Sequence, residues 1–410
     1  MNGLIKKIKS GGPAAIITSA FIGPGTIIVS TKVGATFGYQ LIWATVFAVV
    51  ALMMLMEMAS RIAIVSKQNL IEASINVFPE NSLWQNFICG LMLITVLAVC
   101  FAFQAGNLTG GGLGLATILG VENKYVIIFM TIVVLLITTL GSSKSLEFIM
   151  KIFVGLMGII FIITMLFVKP PVGEMVKGLV PIIPSGAYLL TLALIGTTLI
   201  GINLILHSIT SKNKWSSIEQ LSEARWDIGF NIFIGGMITL SIVTISATVL
   251  RGVAIKGNPA LAFTQSLEPV LGSFASIFGN LGLFAAGLSS AIAIPFTFKN
   301  IIAAIFKFEG GAEGKKSKTL ATVVILFGAA LAIVGKNPQE IIILAQATSG
   351  LFLPIITILI LIVANNKKLL GEHVNNKIQN IVGILVVILT LLLGINGVVQ
   401  GIQNLLQLLK

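Results

Sequence analysis

Charged residues are scarce in this chain of 410 residues: only 10% are Asp, Glu, Lys or Arg, whereas 56% are hydrophobic. Soluble domains carry about 25% charged residues, so the composition excludes a soluble protein and predicts an integral membrane protein. Acidic residues are the scarcer kind, with 14 Asp and Glu against 26 Lys and Arg, which gives a net charge of +12. In a membrane protein such an excess indicates basic cytoplasmic loops and not a nucleic-acid partner.

Cysteine and histidine are too few for a redox or zinc centre. The two cysteines, Cys89 and Cys100, lie on one predicted helix about 16 Å apart by helical rise, which is too far for a disulfide. The chain has two histidines, and a membrane enzyme would need clustered acids, histidines or an activated nucleophile. Because the acids lie almost all in predicted loops or at helix ends, we expect neither an enzyme nor a cofactor.

Long apolar runs are what the chain has instead. Windows of about 20 apolar residues predict a single transmembrane domain over 1–410. In chain order, spans one to eleven cover 12–36, 41–66, 84–118, 124–141, 146–168, 185–210, 226–250, 270–306, 319–335, 339–364 and 379–401. We expect span eight to bend near Pro295 and 307–318 to form a polar, glycine-rich linker.

The distribution of basic residues predicts the orientation of these spans. An odd number of spans places the two termini on opposite sides of the bilayer. A cytoplasmic N-terminus leaves roughly twice as many Lys and Arg in the inner segments as in the outer ones, as the positive-inside rule requires. We therefore expect a multi-pass protein of the cell membrane with its N-terminus in the cytoplasm and its C-terminus outside.

Two spans contain sequences that weaken a helix. Gly23-Pro24-Gly25-Thr26 interrupts the apolar run of span one, and span six contains Gly196-Thr197-Thr198-Leu199-Ile200-Gly201-Ile202-Asn203. Irregular backbone at membrane depth is tolerated only where it is buried in protein or lines a cavity. Glycine in a membrane helix also serves close packing, so each break alone is weak support for a function.

The two breaks occupy corresponding positions if spans one to five and six to ten are inverted repeats. Such paired interruptions point to the substrate site of a secondary transporter. The predicted repeats cover 1–168 and 178–364, and 379–401 is then an extra helix. A sensor or scaffold that has lost transport is a second hypothesis, but an inert bundle gains nothing from two weakened helices. No charged ring or repeated filter sequence indicates a channel.

Several segments, in order over nearly the whole chain, carry a specific resemblance. They are Ser19 to Leu70 with its GPGT, VGATFGYQLIWA and SKQNL motifs, GLVPIIPSGAYLLTLALIGTTLIGINLILHS (178–208), LFAAGLSSAIAI (283–294) and LAQATSGLFLP (344–354). They resemble the Nramp family of proton-coupled divalent-metal transporters. The resemblance implies an all-α membrane protein with a LeuT-type inverted-repeat fold, five plus five helices and one extra helix. It also implies a symporter whose substrate is a divalent metal cation.

The residues that bind metal in this family are mostly replaced here. The family's Asp-Pro-Gly-Asn motif reads Gly23-Pro24-Gly25-Thr26, so the ligating Asp and Asn are absent. The Met-Pro-His motif of span six reads Ile200-Gly201-Ile202, so the thioether is absent as well. Asn203, His207 and Gln346 do match family positions. The candidate substrate-binding residues are thus Gly23, Thr26, Ile200, Gly201, Asn203 and Gln346, and the metal ligands are unknown.

A site built from these residues has no formal charge. A divalent cation sheds its water only for anionic, carbonyl or imidazole ligands, so a dehydrated transition metal is poorly served. A cation that keeps its hydration shell, a neutral solute and an anion are all compatible. The positive end of the half-helix that begins near Thr26 and the nearby Lys32 favour an anion, although Lys32 is also typical of an interfacial lysine.

The residues expected to couple transport to an ion are also altered. Where the family has an Asp and a Glu in span three, this chain has Gln104 and Asn107, and amides cannot titrate. His207 is the only histidine in a predicted span and is a candidate for proton coupling. Ser289 and Ser290 of span eight resemble the hydroxyl pair that binds sodium in relatives of this fold. The possible coupling ion is therefore a proton or sodium.

Overall fold

A computed structural model of the chain describes residues 12–80, 82–140, 144–252 and 259–408, which are predominantly helical. The helices are α1 (Pro13–Phe21), α2 (Pro24–Phe37), α3 (Ile42–Ser66), α4 (Leu70–Asn76), α5 (Leu83–Leu119), α6 (Asn123–Leu140), α7 (Lys144–Phe167), α8 (Val172–Lys177), α9 (Tyr188–Thr198), α10 (Gly201–Lys214), α11 (Leu221–Val249), α12 (Pro259–Leu271), α13 (Ala275–Phe306), α14 (Lys315–Val334), α15 (Pro338–Ala364), α16 (Lys367–Leu370) and α17 (Lys377–Leu408). Short 3₁₀ turns cover Ile218–Gln220, Gly272–Phe274, Gly311–Glu313 and Gly371–His373.

Eight stretches of the described chain are long and apolar enough to cross a membrane. They correspond to spans two, three and six to eleven, while Asn123–Thr139 and Gly155–Phe167 are shorter apolar helices within spans four and five. Span one is divided into α1 and α2, of nine and 14 residues. The chain is therefore a multi-pass membrane protein, and the total of eleven spans stays a prediction.

The structure corrects two of the predicted boundaries. Span eight starts at Ala275 and is preceded by a separate helix, α12, which hydropathy did not reveal. Helix α13 contains Pro295 in its interior, and the bend expected at this residue stays a prediction. The segment 307–318 is not simply a linker, because it contains a 3₁₀ turn and the start of α14.

The segment that joins α13 to α14 folds back onto the membrane helices. Glu313, in its 3₁₀ turn, binds the ammonium of the buried Lys299 with an O–N distance of 2.7 Å. Lys318 lies 3.4 Å from the other carboxylate oxygen. The hydrogen bond from Lys299 holds the pKa of Glu313 below its usual value. A buried lysine needs a partner, so this ion pair explains why a polar, glycine-rich segment is ordered.

The two divided spans run side by side in opposite directions. Helix α1 contacts α10, and α2 contacts α9, so the first half of each span meets the second half of the other. Helix α5 crosses α13 closely, because a β-carbon on Gly287 would lie 2.3 Å from the α-carbon of Gly111. Glycines at such a crossing let two membrane helices approach.

A polar network fastens the end of α3 to two other helices. The buried Arg61 donates to Oδ1 of Asn375 at 2.6 Å and to Oε1 of Gln379 at 3.3 Å. Glu57, one turn earlier, accepts from Arg225 of α11 at 2.8 Å and from Nε2 of Gln379 at 2.8 Å. This network joins α3, α11 and α17 at one end of the bundle.

Candidate functional site at the two helix breaks

The break in span one is narrower than its sequence suggests. Only Ile22 (φ −81°, ψ 68°) and Gly23 (φ −108°, ψ −178°) leave the helical conformation. Pro24 opens α2, where its missing N–H costs no hydrogen bond. Thr26 lies in the first turn of α2 and donates its hydroxyl to the carbonyl of Phe21. This bond joins the two halves of the span across the break.

The break in span six has a similar form. Leu199 (φ −85°, ψ 76°) and Ile200 (φ −93°, ψ 109°) separate α9 from α10. Gly201 opens α10, and a β-carbon there would lie 3.1 Å from the side chain of Ile356. Ile200 itself is buried among apolar residues. Gly196 is inside α9, so it does not cause the interruption.

Gln346 of α15 lies against both divided spans. A β-carbon built on Gly25 would lie 2.0 Å from its Nε2 atom, and one on Gly196 would lie 2.1 Å from its carbonyl oxygen. Both glycines are thus needed for close approach to α15. The Gln346 side chain is 2% exposed. The structure therefore brings Gln346, Gly25 and Gly196 together. The sequence places both glycines in the predicted breaks but only Gln346 among the candidate substrate-binding residues.

The ion-coupling candidates separate into two groups. A β-carbon on Gly23 would lie 2.8 Å from Oγ of Ser290 and 3.6 Å from Oδ1 of Asn107, so these two side chains adjoin the break. Gln104 packs against α14, since a β-carbon built on Gly328 would lie 2.6 Å from the β-carbon of Gln104. Ser289 is partly exposed. None of the three atoms nearest to the β-carbon position of Gly23 belongs to it.

The remaining candidates lie on α10. Asn203 is buried, and its Nδ2 atom has no hydrogen-bond partner among the described residues. His207 is fully buried one turn further along, with Nε2 3.4 Å from Oγ of Ser211. Its Nδ1 atom likewise has no partner within the described part of the chain. Unsatisfied buried polar groups are rare and call for an explanation such as an unseen water or ion.

Buried carboxylates are absent from the part of the chain whose burial the structure describes. No group of three or more His, Cys, Asp or Glu in those described ranges could hold a metal ion. Each break presents the carboxyl end of one half-helix and the amino end of the other, so the helix dipoles favour neither sign of charge. The anion preference expected from the α2 dipole is therefore offset by α1 and α9.

Sequence reasoning missed Gly25 as a packing position. The signal was present, because a glycine follows Pro24 in the first turn of a helix, where stronger helix formers are common. Nothing in the sequence, however, assigns its partner. The contact with Gln346 joins residues more than 300 positions apart and depends on how α15 crosses α2.

Comparison with known proteins adds the family. Residues 14–400 match the family model Nramp, natural resistance-associated macrophage protein-like. The chain is 25% identical over 398 residues to the divalent metal cation transporter MntH of Aeromonas hydrophila, covering 94% of each chain. It is 26% identical over 403 residues to MntH of Vibrio campbellii, covering 96% of this chain and 92% of the relative.

Solved structures show the same fold. The Eremococcus coleocola manganese transporter superposes with a TM-score of 0.76 at 17% identity, over 94% of this chain and 85% of that one. The amino-acid-bound protein MhsT gives a TM-score of 0.60 at 14% identity, over 95% and 97% of the two chains. At these identities the likeness concerns the fold alone, which is the predicted LeuT-type arrangement.

Proposed function

This chain belongs to the Nramp family, and we propose that it carries a divalent metal cation that keeps much of its hydration shell. It is accordingly a membrane transporter and not an enzyme. The cation class is supported by relatives whose names describe divalent metal cation transporters. The retention of the hydration shell is proposed from the residues of this chain at the two breaks and not from its relatives.

The observation that carries the proposal is that Gln346 lies against Gly25 and Gly196, in the two half-helices beside the breaks. Thr26, Asn203 and Gln346 offer hydroxyl and amide groups, which suit water molecules around an ion better than a bare transition metal. The family's carboxylate position is Gly23, and its thioether position is Ile200. Mg²⁺ loses water reluctantly and is held through its waters in many proteins, so it is the cation that this site fits best.

Transport by the purified chain in proteoliposomes tests the proposal. We expect uptake of Mg²⁺, weak competition by Mn²⁺ and no uptake of small organic acids. Gln346→Ala should slow Mg²⁺ uptake about tenfold, the effect of losing one polar contact to the cargo. Gln339→Ala is the matched control, because Gln339 lies in the first turn of the same helix and should leave uptake unchanged. Saturable Mn²⁺ uptake at micromolar concentration, or uptake of acids alone, would contradict the proposal.

We propose further that Ser290 helps to bind the ion that drives transport and that this ion is Na⁺. Its buried hydroxyl has no partner within the described residues and faces Gly23, beside the carbonyl end of α1. Asn107 adds a second neutral oxygen there. A proton on His207 is less well supported, because charging a fully buried imidazole is costly.

Imposed ion gradients distinguish the two coupling ions. We expect an inward Na⁺ gradient to accelerate Mg²⁺ uptake and Ser290→Ala to abolish that acceleration. Ser289→Ala, on the neighbouring and partly exposed residue, should leave it intact. Acceleration by a proton gradient that His207→Gln removes would instead assign the coupling to His207.

The orientation and the division into repeats remain proposals of the same kind. The pairing of α1 with α10 and of α2 with α9 supports two inverted repeats over 1–168 and 178–364. The equivalent contacts of α2 with α11 and of α10 with α3 add to this support. We keep the N-terminus in the cytoplasm and the C-terminus outside, because the basic residues favour that arrangement.

A further inference from the structure

We propose that Asp227 is a positioning residue that holds α1 in place by capping its N-terminus from a different span. The proposal rests on the transporter function, because α1 is the half-helix that leads from one side of the membrane to the break at Gly23. It adds to that function that one carboxylate of α11 determines how firmly this half-helix is held.

The cap is supplied across 213 positions of sequence. Oδ2 of Asp227 accepts a hydrogen bond from the backbone N–H of Ala14 at 2.9 Å. The residue at the usual capping position is Gly12, which has no side chain to do so. The first turn of a helix carries unsatisfied N–H groups and a partial positive charge. A carboxylate satisfies both, and here it comes from the neighbouring span.

The surroundings of Asp227 fit this role. A β-carbon on Gly12 would lie 1.9 Å from its carboxyl carbon and from both oxygens, so only glycine leaves room for it. Asn231, one turn further along α11, donates Nδ2 to the other oxygen, Oδ1, at 2.9 Å. Lys214, at the end of α10, adds an electrostatic attraction. The carboxylate is thus held from two helices while it caps a third.

Helix α1 depends on such a contact because it is short. Its nine residues are fewer than an isolated helix needs in order to persist, so its order comes from its neighbours. Those neighbours are α10, α11 and α13. Its carboxyl end faces the break, so a displacement at Ala14 is transmitted along about 13 Å of helix to Ile22 and Gly23.

Amide hydrogen exchange of the full-length chain in lipid nanodiscs, without cargo, tests this directly. We expect Asp227→Ala to accelerate exchange in the first turn of α1 about fivefold, the factor for losing one helix cap. Asp227→Asn should restore most of the protection, because asparagine also caps helices. Glu223→Ala removes an exposed carboxylate one turn earlier on α11 and should change nothing in α1.

A second variant keeps the test decisive if Asp227→Ala does not fold. Gly12→Ala leaves the carboxylate in the chain but excludes it from its position, and it should reproduce the loss of protection in α1. Unchanged exchange in both Asp227→Ala and Gly12→Ala, or no recovery in Asp227→Asn, would overturn the proposal.

Transport measurements then separate this inference from the proposed cargo. We expect Asp227→Ala to change the maximal rate of uptake more than the concentration of half-maximal uptake, because no cargo ligand is removed. An unaltered rate despite faster exchange would overturn the functional part of the inference. A failure of Mg²⁺ uptake in the unmodified chain would instead contradict the cargo proposal and leave the exchange result standing.

Discussion

The space available to a side chain at Gly23 depends on residues of two other helices. A side chain at this position would meet Oγ of Ser290 at 2.8 Å and approach Oδ1 of Asn107 at 3.6 Å. The space beside the break is therefore filled from α13 and α5. Because a carboxylate at position 23 would need some of that space, restoring it requires a change at Ser290 as well.

The crowding at Gly23 predicts how metal binding can be introduced. Gly23→Asp combined with Ile200→Met and Ser290→Ala should bind Mn²⁺ at least tenfold more tightly than the unmodified chain, because it gains an anionic and a thioether ligand. Isothermal titration calorimetry of the purified protein measures the difference. Gly173→Asp is the control, since it adds the same carboxylate at an exposed position with open space. Tight Mn²⁺ binding by the unmodified chain would show that the site needs neither of these ligands.

The contact between α9 and α15 depends on a glycine of α9. Gly196 of α9 lies where a β-carbon would meet the Gln346 carbonyl oxygen at 2.1 Å and the Gly350 nitrogen at 2.9 Å. Both of these are backbone atoms, so a rotamer change cannot relieve the clash. Gly229 of α11 has nothing within 4 Å of its β-carbon position. The two glycines therefore have different roles in similar helices.

We expect Gly196→Ala to destabilise the folded protein by about 1–3 kcal/mol, the usual cost of overpacking. Gly229→Ala should be neutral or slightly stabilising, because alanine favours helix and meets no obstacle. Thermal unfolding of both variants in the same detergent compares them. Equal stability of the two variants would show that α9 and α15 can separate at little cost.

The Glu313–Lys299 pair predicts a dependence on pH. The pKa of the Glu313 carboxyl is lowered in the folded state by the hydrogen bond from Lys299. The resulting stabilisation is therefore complete above the pKa of unfolded glutamate, about 4.3. It is lost as the pH falls through the lower pKa of the folded protein.

Glu313→Gln should therefore lower the unfolding temperature at pH 7, and its effect should shrink as the pH falls below about 4.3. Because the carboxylate is largely exposed, the effect should be no more than about 1 kcal/mol. Thermal unfolding between pH 3.5 and 7 measures it, with Glu309→Gln as a control in the same segment. A difference from the unmodified protein that does not shrink between pH 5 and pH 3.5 would mean that the ion pair is not its source.

The whole molecule is expected to lie in the bilayer with alternate connecting segments on opposite sides. If the eleven predicted spans are all present, the segment around Glu309 faces the cytoplasm and helix α8 faces outward. Glu309→Cys and Gly173→Cys, each in a chain with Cys89 and Cys100 replaced by serine, should then react with an impermeant maleimide from opposite sides. Labelling of both from the same side would show that the number of spans between them is wrong.

The sequence by itself determined the class of this protein and the location of its breaks, because hydropathy and helix-breaking residues act locally along the chain. The apolar runs predicted a multi-pass helical protein, which is confirmed, and Pro24 and Gly201 lie in the first turns of the half-helices that follow the two interruptions. The motifs around them led to the Nramp family, which the family comparison confirms.

Only the tertiary structure decided which side chains meet. Gln104 and Asn107 share one helical face by their spacing, yet Asn107 adjoins Gly23 while Gln104 packs on Gly328. Asp227 caps Ala14 although 213 residues separate them. Such pairings depend on the angles and depths at which distant helices cross, and these are set by the packing of the whole bundle, which no local pattern contains.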